Sequence, residues 1–408
     1  MYYINVDFLS KVTWTLLEIK IPTEVGKPPQ AMEQVFAGLH AIKSGGNLID
    51  KYWKGKVQLW FSCEIVGRGG GISFFIWTPA QFRNLVEAQI YAQYPESEIK
   101  VAADYTQDVP LDIPNQDWSL AAFELALTKE DAYPIRTYKE FAIQDVQYEE
   151  QKVDPLASLT EVLSHLKTGE EAWIQILIRP TGDDWKKAGE ELVSKLIGRK
   201  KEKKKTFIEE VFDDLAIYGG IMVDAFFGGG IPEPKEEKKD GKETLMQHLS
   251  PGERDVVHAI EKNIAKIGFD TTIRVIYLAK RDVFTRENTS AIMGAFNQFN
   301  DQKLNGFKRV NGTSVDYFFT ERRELQMKRS MQLKYRLRER STRRMYEFIP
   351  FWDSFFNVFM NPNKMAIFTM NIEELATIYH VPGGVVTTLS LPRVEAKKGA
   401  PPINLPVS

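Results

Sequence analysis

Between Arg322 and Arg344 the chain places ten basic residues, Arg322, Arg323, Lys328, Arg329, Lys334, Arg336, Arg338, Arg340, Arg343 and Arg344, against two acids, Glu324 and Glu339. A run of guanidinium and ammonium groups neutralises phosphate esters, along a nucleic acid or across anionic lipid headgroups. The competing reading is a solvated basic helix whose charges pair with acidic surface elsewhere in the chain. Tyr346 to Met360 follows directly, dense in aromatics, with Phe351, Trp352, Phe355 and Phe356 at its centre. Charge that attracts headgroups beside rings that bury at the acyl boundary is the composition of an interfacial anchor; the same rings serve equally as core or as a partner contact.

The other chemistries are poorly provided for. No G-x-x-x-x-G-K-[ST] occurs in the 408 residues, and this loop supplies the backbone amides, lysine and hydroxyl that hold nucleotide phosphates and magnesium. Gly67 to Gly71 lies between two strand-like runs and reads as a hairpin turn. The five histidines (His40, His165, His248, His258, His380) have no metal-ligand spacing, and the single cysteine, Cys63, sits in the apolar run Leu59–Val66. A zinc site or a disulfide framework is therefore not expected. Asp183 and Asp184 precede Trp185 at a helix start, where acids are favoured electrostatically. No nucleophile and base come together, so no catalytic residue, cofactor or metal ligand is assigned.

A hydrophobic share of 43% and a charged share of 26% are those of an ordinary globular chain, and a net charge of −2 confines any polyanion-binding surface to a local patch. No apolar run reaches the roughly 20 residues of a spanning helix, and the N-terminus lacks the basic start of a signal peptide.

The first 115 residues read as β-α-β-β-α-β. Strands are expected at Trp14–Ile21, Val57–Val66, Ile72–Trp77 and Glu98–Tyr105, with a helix opened by Pro28-Pro29 and another capped by Thr78 with Pro79 in its first turn. A second such series follows over 116–345, with strands at Trp118–Leu127, Ala172–Ile178, Thr271–Leu278 and Val315–Phe319. An insertion from about Thr181 to Gly268 interrupts it, containing a low-complexity linker over 228–247 and a capping box at Ser250–Glu253. The expected fold is α+β: two tandem ferredoxin-like domains, the second split, then an aromatic segment, a short helix and a proline-rich tail over 346–408. Asn371 can cap that helix, Glu373 and Glu374 lie in its first turn, and Leu375, Ile378 and Tyr379 share a face.

The segment Asn371-Ile-Glu-Glu-Leu-Ala-Thr-Ile-Tyr-His-Val-Pro382, with the tail Glu395–Pro406 ending in Pro-Pro-Ile-Asn-Leu-Pro, resembles the stretch preceding the motor domain of conjugation-type DNA-transfer ATPases. These are the TraG-like and related type IV secretion ATPases of small-genome, candidate-phyla bacteria. Trp14–Pro22, Ala31–Ala37, Arg83–Pro95, Asp154–Leu156 and Trp173–Pro180 resemble a family of unassigned function in the same bacteria, itself similar to the N-terminal halves of those ATPases. Relatives with a membrane anchor carry it before the strand matched by Trp14–Pro22, where about a dozen residues stand here; either the anchor is lost or the start lies upstream. The sequence reaches Ser408 without a motor, so ATP hydrolysis is not expected.

The resemblance implies a non-catalytic scaffold of a DNA- or protein-transfer machine at the cytoplasmic face of the membrane. Glu373, Glu374, Leu375 and Tyr379 would form a docking helix for a separate ATPase or another secretion subunit. Anionic lipid and nucleic acid are the other partners to consider, and exposed sheet edges allow homo-oligomers. The alternative is a nucleic-acid-binding module using Arg322–Arg344.

Overall fold

The most continuously apolar strand, β6 (Glu170–Pro180), lies mid-sheet in the computed structural model, as a strand buried on both faces must. The structure describes residues 2–22, 27–44, 56–141, 153–198, 249–314, 320–338, 366–382 and 393–394. Among them β6 pairs with β2 (Phe61–Arg68) on one side and β7 (Gly268–Lys280) on the other. Beyond β2 come β3 (Gly71–Pro79), β1 (Trp14–Pro22) and β4 (Glu98–Val101). Beyond β7 come β5 (Trp118–Leu127) and β8 (Phe307–Val310). β9 (Phe368–Asn371) extends the β5 side of β7, completing a nine-stranded antiparallel sheet, and the two-residue β10 (Arg393–Val394) runs parallel to the end of β1. The molecule is a mixed α and β structure on one sheet.

Alternation along the strands divides the side chains into two layers. Ile65, Ile174, Val275 and Phe123 point into the larger core. Helices α2 (Gln30–Leu39), α3 (Arg83–Gln93), α5 (Ala157–Ser164), α8 (Glu287–Asn297) and α10 (Ile372–Ile378) cover that core. α1 (Tyr2–Ser10) and the short α4 (Tyr138–Phe141) contribute at its margins. Val66, Trp173, Ile276 and Ala122 face the other way, into a smaller core closed by the Tyr105–Ile113 loop and by α9 (Thr320–Arg336). Between β6 and β7 stand α6 (Asp184–Leu196) and α7 (Pro251–Ile264), joined by their own cluster of Val193, Ile197, Val257, Ile260 and Ile264. α7 begins with the expected capping box at Ser250 and Glu253.

The β2–β3 hairpin turns on Gly69 (φ +51°) and Gly70 (φ +90°), conformations that favour glycine, and a Cβ on Gly70 would lie 3.0 Å from the Ser164 carbonyl oxygen. Other boundaries differ from expectation. Thr78 and Pro79 belong to β3, where Thr78 is fully buried; a 3₁₀ turn at Ala80–Phe82 intervenes before α3. β4 ends at Val101, and Tyr105 starts another 3₁₀ turn capped by the Asp104 carboxylate. β8 follows α8 in the chain, and the expected strand Val315–Phe319 lies outside the described residues, as do the 228–247 linker and most of the 346–408 region.

Candidate functional site

A row of polar side chains crosses the middle of the sheet beneath the C-terminal end of α9. Strand register sets Glu64 opposite Gln175, Gln175 opposite Arg274 and Arg274 opposite Glu124, so all four project from the same face. All are buried. Arg274 donates to the Glu124 carboxylate (3.1 Å), to Gln175 (3.0 Å) and to the Lys334 carbonyl (3.1 Å); Gln175 in turn donates to the Tyr335 carbonyl (3.0 Å). The helix C-terminus therefore delivers its free carbonyls to donors rising from the sheet, an arrangement the macrodipole favours.

Arg338 closes the row. It donates to both oxygens of Glu64 (2.9 and 3.2 Å) and both of Asp104 (2.7 and 3.1 Å), while its own carbonyl accepts from the Trp60 indole (3.1 Å). Ser62 (2.6 Å), Tyr105 (2.8 Å) and Gln175 (3.3 Å) also donate to Glu64, and the Tyr105 hydroxyl meets that of Tyr335 at 2.8 Å. Arg338 is 1% exposed and its φ is +46°, a left-handed conformation that disfavours a side chain. Burial works against the ionised Asp104, but the hydrogen bonds and charge of Arg338 outweigh it and hold that carboxyl below its usual range. Burial likewise opposes the Arg338 charge, and Glu64 and Asp104 more than offset it. Burial and the Glu64 charge push both tyrosines up.

This geometry sorts the ten basic residues. Arg322, Arg323 and Arg329 are exposed along α9. Lys328 pairs with Glu324 one turn earlier (3.2 Å), Lys334 is half-buried, and Arg336 donates to the Val109 carbonyl. Arg338 faces the interior as a structural counter-ion. Arg340, Arg343 and Arg344 lie outside the described residues, together with Phe351, Trp352, Phe355 and Phe356.

The docking-helix residues come together in the larger core, all of them buried. Asn371 caps α10 by accepting from the Glu373 (2.8 Å) and Glu374 (2.9 Å) amides, and Glu374 returns the bond to the Asn371 amide (2.9 Å) while also accepting from Ile135 (3.0 Å). Glu373 accepts from Thr137 (2.7 Å), Lys139 and Lys266. Burial opposes its charge, but these donors win and hold its carboxyl down at about 2. For Glu374, burial wins over its amide donors and lifts the carboxyl to about 8. Leu375 is core; Tyr379 donates to the Phe75 carbonyl (3.0 Å) and packs its ring against Phe36 and Phe74. His380 bridges the Ala376 carbonyl (2.8 Å) and Asp154 (2.9 Å).

Among the described residues no group of three or more His, Cys, Asp or Glu is placed to hold a metal ion, and no helix is long and apolar enough to cross a membrane. Cys63 is buried, and that burial pushes its thiol up. His40 caps α2 half-buried and His165 ends α5 exposed. Sequence reasoning singled out none of Glu64, Asp104, Glu124, Gln175 and Arg274. The signal available was a polar residue at the middle of each of four apolar strands, aligned on one face.

Residues 7–391 match a family described as a domain of unknown function (DUF8128), and the chain belongs to that family. No curated protein matches it.

Proposed function

We propose that this protein is a non-catalytic assembly module, related to the N-terminal part of conjugation or type IV secretion ATPases, that holds a separate motor subunit at a fixed position. The observation that carries this reading is the depth at which the Asn371–Pro382 segment is built in. β9 pairs with β7, and six of the seven α10 residues are buried, so the chain leaves Pro382 from a rigid body and not from a tether. In the ATPases it resembles, this segment leads into the motor; here the Glu395–Pro406 tail supplies the contact with a motor on another chain. The fold is read as two tandem ferredoxin-like units joined edge to edge through β2 and β6. Its support is the strand order β4-β1-β3-β2, repeated as β8-β5-β7-β6, with α6 and α7 standing where the second hairpin loop belongs.

The test mixes the purified chain with the motor domain of a conjugation-type ATPase from the same genome and follows association by sedimentation velocity. The full chain is expected to form a complex, and a chain cut after Pro382 is not. Failure of both to associate, or ATP turnover by the chain alone, overturns the reading. Nucleic-acid binding through Arg322–Arg344 is the second reading, favoured by the exposed Arg322, Arg323 and Arg329. It predicts affinity for duplex DNA that falls steeply with salt.

A further inference from the structure

Three exposed leucines flank one corner of the molecule, where the Tyr105–Ile113 loop is tied to the C-terminal end of α9. Leu333 (49% exposed), on α9, and Leu337 (57%), just past its end with its amide donating to the Leu333 carbonyl (3.0 Å), lie one helical turn apart, on the side opposite the buried Met331 and Tyr335. Of the nine exposed large apolar side chains among the described residues, only these two share one helical face. On the adjoining flank, Gln332 donates to the Pro110 carbonyl (2.6 Å) and Arg336 to that of Val109. Those bonds fasten the loop carrying Leu111, itself 57% exposed, against the same stretch of helix. Arg322 and Arg329 continue the outward line of α9 toward its N-terminus.

We propose that this corner, Leu111, Leu333 and Leu337 with Arg329 one turn along α9 and Arg322 about two turns beyond it, docks on the surface of an anionic phospholipid bilayer. Charge complementarity selects an anionic partner. The leucines then separate lipid from nucleic acid: a phosphate backbone gains nothing from exposed leucine, whereas the headgroup boundary takes up both groups, the cations among phosphates and the apolar tips below them. The buried row beneath α9 holds the surface in place, so docking requires no rearrangement. Two carboxylates lie on the same loop. Asp108 is paired with Arg68 (2.9 Å), and Asp112, bonded to Asn115 (3.1 Å), stands next to Leu111. Asp112 therefore opposes docking.

The inference names a second partner for the module proposed above and rests on this corner alone; a chain that binds a motor but ignores vesicles refutes it and leaves that reading standing. The test is co-sedimentation of the full chain with phosphatidylglycerol-containing and with pure phosphatidylcholine vesicles. Binding is expected only to the anionic vesicles. It should fall more than about tenfold in Arg322→Ser/Arg329→Ser and in Leu333→Ser/Leu337→Ser, and rise in Asp112→Asn. Leu196→Ser, an exposed leucine on α6, should bind as the wild type does, and matching thermal unfolding curves exclude misfolding. No binding to anionic vesicles overturns the proposal, as does equal loss in Leu196→Ser. So does loss in the arginine variant alone accompanied by binding to a duplex oligonucleotide, which assigns the surface to nucleic acid.

Discussion

Two helices near the C-terminus are attached to the sheet in opposite ways. α9 has seventeen residues and buries three of them, Met331, Gln332 and Tyr335, all toward its C-terminal end; Arg338 just beyond is fixed by two carboxylates. α10 has seven residues and buries six, around Leu375 and a reciprocal cap. A helix of seven residues has almost no stability of its own, so packing must supply it. The longer helix carries six cations from Arg322 to Arg336 and is anchored by charge. Length and basicity drew attention to α9 as a surface, while the shorter element is more deeply embedded. Charge-built and apolar attachments also fail differently, which separates them experimentally.

The largest effects should come from removing each anchor. Arg338→Ala leaves Glu64 without its buried counter-ion and should cost about 3–5 kcal/mol. Adding Glu64→Gln removes the stranded charge, so the double variant should be more stable than Arg338→Ala alone. Leu375→Ala removes a fully buried side chain and should cost about 2–5 kcal/mol, with no second substitution that restores it. Urea unfolding of the four proteins is the measurement. If Glu64→Gln fails to rescue Arg338→Ala, the attachment of α9 is not electrostatic and the contrast with α10 collapses.

Particular residues show what the sequence could and could not reveal. Trp118–Leu127, the Gly69-Gly70 turn and the caps at Ser250 and Asn371 were legible because each depends on local periodicity or local chemistry. Thr78-Pro79 misled because a proline suits the end of a strand as well as a helix start, and tertiary pairing with Thr15 decided it. The direction of Arg338 was not legible. It depends on Glu64 and Asp104, more than two hundred residues earlier, and on a register that no local pattern encodes. Glu373 and Glu374 look like solvated first-turn acids in sequence; only the packing of α10 against Ile135, Thr137 and Lys266 reveals that they are buried.

pH distinguishes the two attachments with less perturbation. Glu374 carries a folded-state value of about 8 against an ordinary 4.5, so its contribution is complete below 4.5 and is lost as pH rises through about 8. The slope is at most about 1.4 kcal/mol per pH unit in that window. Glu373, held at about 2, contributes above 4.5 and loses its contribution as pH falls through about 2. Asp104 in the α9 anchor has the same sign as Glu373, so that anchor weakens on the acid side. Glu374→Gln should therefore flatten the decline in stability between about pH 5 and about pH 8 and leave the acid limb unchanged. A decline of wild-type steepness in the variant would assign the alkaline loss to another group.

The smallest effect isolates the backbone of Arg338 from its side chain. At φ +46° any residue with a Cβ is strained, whereas glycine is not. Arg338→Gly and Arg338→Ala both remove the ion pair, so they differ chiefly in that strain and in unfolded-chain entropy, which penalises glycine. The left-handed penalty is about 1–2 kcal/mol and the entropy difference about 0.5–1 kcal/mol, which leaves the glycine variant more stable by up to about 1.5 kcal/mol. A more stable alanine variant would mean that the chain relaxes out of the left-handed conformation once the guanidinium is gone. The ion pairs to Glu64 and Asp104 would then be imposing that conformation, and the turn after α9 would be a consequence of the anchor instead of its cause.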